Sequence, residues 1–258
     1  MKVVPLLCIC LMPLLSVAQS PVSTRLSSGV DLGAGFGKDH ISPSLSYYQL
    51  LTITKTKVLS VGWTANFRTN YLSNADYITA PANLSRGGKT GFFALGAPLI
   101  PANLDTLRMS SASGTSFNLG VRAQVRIKFL EIGASADIVG ITLGRRRTGQ
   151  YLSSTGAYSL GTSVSGADSV QRFTGSYVNQ SAKPTIANLQ LLGDNSIGTL
   201  ATEVYIRAIV GQRLGVKVGY QWMMTEYTTS VTNTVDDNRR FRSRSGLTYV
   251  GVTFPFFR

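Results

Sequence analysis

Phe117–Phe129 reads FNLGVRAQVRIKF. Phe117, Leu119, Val121, Ala123, Val125, Ile127 and Phe129 fall on one side; Asn118, Gly120, Arg122, Gln124, Arg126 and Lys128 fall on the other. A strand sends successive side chains to opposite faces, so the stretch reads as a strand with one apolar and one charged face. Two settings fit. In a soluble sheet the apolar row packs a core and the arginines see water. In a membrane barrel the apolar row faces lipid and the charges point inward. The alternation outruns the ~5–6 residues common in soluble strands and satisfies the ~9–11 that a tilted transmembrane strand needs.

The same period of two recurs along the chain. It is found around Val30–Phe36, Leu45–Ile53, Leu59–Phe67, Ile132–Ile138, Leu200–Val210, Leu214–Trp222 and Val250–Phe256, which with the opening stretch predicts eight strands. Short turns are expected around Lys55-Thr56, Phe129-Leu130 and Gly211-Gln212-Arg213, and long polar connections over Asn70–Thr115, Arg145–Gly198 and Thr228–Ser245. Loops beyond ~15 residues are uncommon in compact soluble domains, whereas an outer-membrane barrel has short periplasmic turns and long external loops. The connection near Lys38–Pro43 is the short exception.

Composition narrows the partner. The net charge is +13 with only 14% charged residues, which favours an anionic partner over a charged helical bundle. The leader MKVVPLLCICLMPLLSVAQS carries Lys2, an apolar run and the small residues Ser16 and Ala18 at −3 and −1 of a cleavage site after Ala18. Residues 1–18 are therefore expected to be a removed signal peptide, and 19–258 the barrel. Cys8 and Cys10 leave with the leader, so the mature chain has no disulfide or thiolate metal site. Export argues against nucleic acid as a partner and makes an anionic envelope surface the leading one.

The inward face would collect Asp31, Arg68, Arg122, Arg126, Lys128, Glu131, Asp137, Glu203, Arg207 and Lys217. A barrel of ~8 strands is just filled by its side chains, and a buried charge must be paired. These residues are expected to hold one another. A turn at Phe129-Leu130 would set Lys128 opposite Glu131 and Arg122 opposite Asp137. The external cations Arg145, Arg146, Arg147, Arg239, Arg240, Arg242 and Arg244 are placed in loops, where Arg makes bidentate contacts with lipopolysaccharide phosphates; an ordinary solvated loop is the other reading.

Catalytic and metal motifs are weak. His40, the sole histidine, lies near Asp39, Ser42 and Ser44 at the outer rim. A histidine activating a serine is the chemistry of a lipid A acyltransferase or deacylase, and this is the enzymatic alternative. One histidine cannot build a multi-His zinc site, and Asp236-Asp237-Asn238 is too short for a calcium loop. Gly33-Ala34-Gly35-Phe36-Gly37 lies in a strand with no helix after it, unlike a dinucleotide loop. No cofactor is expected.

The last residues, GLTYVGVTFPFFR, resemble the C-terminal strand of outer-membrane barrels, with Val250, Val252, Phe254 and Phe256 alternating. Arg258 as last residue and Pro255 within the strand depart from that pattern; Pro255 belongs at a strand end or bulge. GASADIVGITLG (Gly133–Gly144) and LLGDNSIGTLATEVYIRA (Leu191–Ala208) look like segments of small outer-membrane barrel proteins of Bacteroidota. The resemblance implies an all-β, eight-stranded antiparallel up-and-down transmembrane barrel of the OmpA/OmpX type. It also implies insertion by the barrel-assembly machinery through Val250–Phe257, an outer-membrane location and a monomer. The expected role is non-enzymatic: envelope structure, lipopolysaccharide contact or ligand binding through the loops. A soluble periplasmic barrel or sandwich is the remaining alternative.

Overall fold

The computed structural model describes residues 25–257, except positions 55, 57, 90, 91, 96, 153–156, 163–167, 192–194, 211, 212 and 235. The expected leader, with its two cysteines, lies outside the described residues, as do Lys55, Gly211, Gln212 and Arg258 of the turn and C-terminal readings. The described strands are β1 (Leu26–Gly37), β2 (His40–Thr52), β3 (Leu59–Thr79), β4 (Thr106–Ile127), β5 (Leu130–Leu143), β6 (Arg147–Leu152), β7 (Ala157–Thr162), β8 (Asp168–Arg172), β9 (Asn179–Pro184), β10 (Ala187–Leu189), β11 (Leu200–Val210), β12 (Leu214–Asn233) and β13 (Asn238–Phe257).

Eight of these, β1 to β5 and β11 to β13, pair antiparallel in sequence order, and β13 returns to β1 to close the ring. Closure leaves no strand edge unpaired, which a wall crossing lipid requires. The opening stretch lies in β4. Its apolar row faces out: Phe117, Leu119, Val121, Val125, Ile127 and Phe129 are all exposed, while Arg122, Asn118 and Gln124 are buried. Neighbouring strands continue the belt with Leu45, Trp63, Ile132, Ile206, Val218 and Val250. The polarity is that of a membrane barrel, and the soluble sheet reading is overturned. Phe117 and Phe129 are about 12 steps apart, which at ~3.3 Å per step and ~45° tilt separates them by roughly 28 Å, the thickness of a bilayer core. We expect Val121→Arg, on this belt, to destabilise the inserted barrel by about 2–4 kcal/mol. Denaturant unfolding from liposomes measures it, and an unchanged midpoint removes Val121 from lipid contact.

The β4–β5 register differs from expectation. The turn is Lys128-Phe129, with Ile127 opposite Leu130 and Arg126 opposite Glu131. Lys128 takes the left-handed conformation at φ 57 that a tight turn needs. The shift is two residues, so every side chain keeps its face but changes its partner. The same shift sets Gly120, not Arg122, opposite Asp137, and a bulge follows between Leu119 and Gly120. At the other end of the chain Pro255 lies beside the irregularity at Ser28/Gly29, where its missing N–H interrupts least.

The long connections are the larger correction. They are not simply loops, because four strands run on above the membrane. β3, β4, β12 and β13 are 20 to 22 residues long, and their outer halves are closed by short strands from the connection between β5 and β11. The pairs β3–β4, β4–β6, β6–β9, β9–β12, β12–β13 and β13–β3 make a second, smaller ring on top of the first. The β1–β2 hairpin ends below it in a two-residue turn with Asp39 at φ 56, so β13 and β3 meet above that turn, Phe241 opposite Thr79. Strands β7 and β8 form a separate hairpin.

The upper ring has the opposite polarity. Its interior is an apolar core of Leu72, Tyr77, Leu107, Met109, Ala112, Tyr151, Phe173, Ala182, Tyr227 and Phe241. Tyr151 stacks on Phe173 with centroids 4.0 Å apart and meets Phe241 edge-on at 5.4 Å. The tyrosine hydroxyls are satisfied: Tyr151 donates to Asp105 at 2.7 Å and Tyr227 to the Ser113 carbonyl at 2.9 Å. Leu72 and Tyr77 both point into this core although an uninterrupted strand would send them to opposite faces. Asn74, at φ 48, lies between them and changes the phase. Met109 and Ala112 show the same change on β4.

Candidate functional site

The lower ring is filled by charge. Asp31 is fully buried and central: Arg122 reaches it at 2.8 Å, Lys217 at 3.1 Å and Arg207 at 3.5 Å, and Thr253 donates to it at 2.7 Å. Arg207 also donates through Nε to Glu131 at 2.6 Å, which Arg126 holds from the other side at 2.7 Å. Lys217 bridges to Glu203, whose second oxygen accepts from Gln221 at 2.6 Å. Nearer the outside, Arg68 pairs with Asp137 at 2.9 Å, and Asn66 and Asn118 donate to the same carboxylate at 2.6 and 3.0 Å.

The structure thus brings together nine of the ten charged residues expected inside. Lys128 lies in the exposed turn, outside the network. The pairs Lys128–Glu131 and Arg122–Asp137 are replaced by Arg126–Glu131 and Arg122–Asp31, because the turn moves the register by two residues. Sequence reasoning passed over the aromatic partners. The Arg122 guanidinium lies between the rings of Tyr48 and Tyr205, at 4.3 and 4.5 Å, and Lys217 lies over Tyr205 and Tyr249. The signal was present for Tyr205, which shares a face of β11 with Glu203 and Arg207, and absent for Tyr48, whose strand carries no charged residue. Cation–π contact is worth more when desolvated, and these rings help hold cations away from water.

His40 is 1% exposed and belongs to the throat between the two rings. Its Nδ1 lies 2.6 Å from Ser245 Oγ and its Nε2 3.2 Å from Asn70 Oδ1, which also accepts from Ser42 at 2.9 Å. The imidazole therefore ties β2, β3 and β13 together. Asp39 is exposed in the turn, so an amide rather than a carboxylate orients the ring. Among the described residues, no group of three metal-ligating side chains occurs. Among the described residues, two gaps inside the wall, one beside Glu131 and Arg207 and one beneath Tyr77 and Tyr227, hold about 10 Å³ each, about the least that accommodates a water.

The external cations fall in two groups. Arg145 and Arg146 are exposed just beyond β5, and Arg147, on β6, donates to Ser113 at 3.1 Å. Arg239, Arg240, Arg242 and Arg244 are not in a loop as expected; they lie on β13, because the strand continues into the upper ring. Glu226 on β12 is buried on the outer side of the wall and binds Arg240 through two contacts of 2.8 and 3.0 Å, with Arg242 at 3.5 Å. Arg242 also donates to the Ser196 carbonyl. Burial, opposed by Glu226 and reinforced by Arg240 and Arg86, holds Arg242 below the usual arginine pKa. The outer wall here is a strongly positive place.

Beside these arginines a groove of about 520 Å³ opens on the outside of β11–β13. Trp222, Met224, Leu200 and Gly246 form its wall, Arg244 and Arg86 its charged side, and Leu191 and Ser196 one margin. Tyr220 packs edge-on against Trp222 at 5.0 Å, and its ring covers Gly246, where any side chain would collide with it. These aromatics stand where a barrel's outer interfacial girdle stands.

A closed eight-stranded wall, apolar outside and charged within, is that of an outer-membrane β-barrel. No family model matches the chain, and no curated protein matches it. Among solved structures, the chain is similar to the Yersinia pestis outer membrane protein Ail in a phospholipid nanodisc, at 9% identity over 89% of this chain and 99% of that one, with a TM-score of 0.34. Ail in complex with the heparin analogue sucrose octasulfate gives 7% identity over 90% and 97%, TM-score 0.32. A major outer membrane protein of Thermus thermophilus gives 10% identity over 90% and 99%, TM-score 0.37.

Proposed function

We propose that this outer-membrane protein is neither an enzyme nor a channel. It is a sealed barrel that carries a compact β-head outside the cell and meets the surrounding lipopolysaccharide through its basic residues. The observation that carries this reading is the filled lumen. Ion pairs with tyrosine rings packed on their cations, the His40 throat and the aromatic core of the upper ring follow one another from the periplasmic end outward. A solute crossing this path would have to break buried ion pairs, each of which costs several kcal/mol to disrupt.

The basic outer surface supports the second half of the reading. Arg145, Arg146 and Arg239 are exposed beyond the lipid belt, where phosphate groups of the outer leaflet lie within reach of a guanidinium. Reconstitution into a planar bilayer tests the first half. We expect no conductance steps across a range of voltages and no swelling of sugar-loaded proteoliposomes. Reproducible single-channel steps from folded protein reject the sealed barrel.

A further inference from the structure

We propose that the groove between Trp222 and Arg244 is a specific seat for one phosphate-bearing lipopolysaccharide molecule. Arg86 and Arg244 take the phosphate, and Trp222 and Met224 take the first methylenes of an acyl chain. The inference rests on the reading that the basic outer face meets lipopolysaccharide, and it names where and how.

Position is the first argument. The groove lies on the outside of the wall, not in the lumen or on the top of the head. Its lower wall, Trp222 with Tyr220, continues the lipid-facing belt of Val218 and Val216. Its upper side is formed by the connection between β3 and β4, which supplies Arg86, and by the segment leading to β11, which supplies Leu191 and Ser196. A site walled by the girdle below and overhung by protein above sits at the headgroup level of the outer leaflet, open toward the acyl chains.

Charge is the second. Arg86, Arg240, Arg242 and Arg244 gather on one side of the wall, where Glu226 pairs with Arg240 and Arg242. Asp76, at the adjoining hollow, is engaged by Arg108 through contacts of 2.8 and 2.9 Å. So dense a set of guanidiniums attracts an anion, and Arg86 and Arg244 are the two that line the groove. Arg86 also donates through Nη1 to the Ala97 carbonyl. Two guanidiniums converging on one phosphate provide fork geometry that an ammonium lacks.

Shape is the third. An aromatic and a methionine beside two arginines form an amphipathic site, apolar on the side toward the bilayer and charged on the side away from it. A soluble phosphate would use only half of it. A phospholipid offers one phosphate at the same depth, but the overhanging segments favour a rigid sugar-borne phosphate that reaches up toward them, so we assign the seat to lipid A.

The test uses the full chain in nanodiscs, with lipopolysaccharide, the same material after enzymatic dephosphorylation, and phosphatidylglycerol as probes. Arg86→Gln/Arg244→Gln is compared with Arg145→Gln/Arg146→Gln, and heat-modifiable migration certifies that each variant is folded. The expected result is about a tenfold or greater loss of lipopolysaccharide affinity in the groove variant, with the loop variant near wild type. Dephosphorylated material should bind wild type as weakly as intact material binds the groove variant, and phosphatidylglycerol should not compete. Unchanged affinity in a folded groove variant overturns the seat. If the loop variant alone loses binding, the broader lipopolysaccharide reading survives without it. If neither variant loses binding and dephosphorylation has no effect, both fail. Equal competition by phosphatidylglycerol overturns the assignment to lipid A.

Discussion

Asp31→Asn is expected to unfold the barrel under conditions in which the wild-type protein still migrates as a compact, heat-modifiable species. The substitution keeps the size of the side chain and removes its charge. Arg122, Lys217 and Arg207 then remain buried around a neutral amide. Breaking a buried ionic cluster by removing one partner typically costs about 3–5 kcal/mol, because the remaining charges lose their counter-ion without regaining water. Unfolding by urea from detergent or short-chain lipid, followed by gel mobility, measures the loss. Adding Lys217→Met to Asp31→Asn should restore part of it by removing one stranded cation. An Asp31→Asn barrel with wild-type stability means that water reaches the network, and the sealed lumen is then wrong.

Phe241→Ala is expected to act on the head and spare the barrel. Phe241 is fully buried in the upper core and packs against Tyr151. Truncating a buried phenylalanine costs about 3–5 kcal/mol, a large part of what so small a core can supply. The lower ring closes through its own pairings and does not use this residue as a filler. Limited proteolysis of intact cells or nanodiscs should therefore cut the segment around β6–β9 in the variant, while the heat-modifiable band of the barrel persists. Simultaneous loss of both shows that the rings fold as one cooperative unit.

The membrane half of the fold was legible because lipid enforces a simple rule. Every outward position within the belt must be apolar, so strands such as Phe117–Phe129 and Leu214–Trp222 carry an unbroken period of two. Above the belt that rule lapses. There β3 and β4 run through Tyr71–Thr79 and Thr106–Ser113 with a phase change at Asn74, exposed polar residues outside and only scattered apolar ones inside. Such a stretch reads as a polar loop, which is why the pattern alone puts Arg239–Arg244 in one. The lumen was legible as a set of charges but not as a set of partners. Which acid meets which base depends on a two-residue choice at Lys128-Phe129, and a shift of two leaves the facial pattern untouched. The groove was not legible at all as a site. Arg86, Trp222 and Arg244 are remote in sequence, and only the overhanging segments bring them together.

β3, β4, β12 and β13 pass from the periplasmic turns to the top of the head as continuous strands of 20 to 22 residues, each roughly 65–75 Å long. The head is therefore joined to the wall by four strands at once. A pull applied outside the cell would run down four strands at once and load their ladders lengthwise, with many hydrogen bonds sharing the force. A head joined by a single segment would instead peel away bond by bond. The inclination of the head to the cell surface is likewise inherited from the tilt of the wall, so the protein presents its outer face at a fixed attitude, as a mast stepped through a deck does.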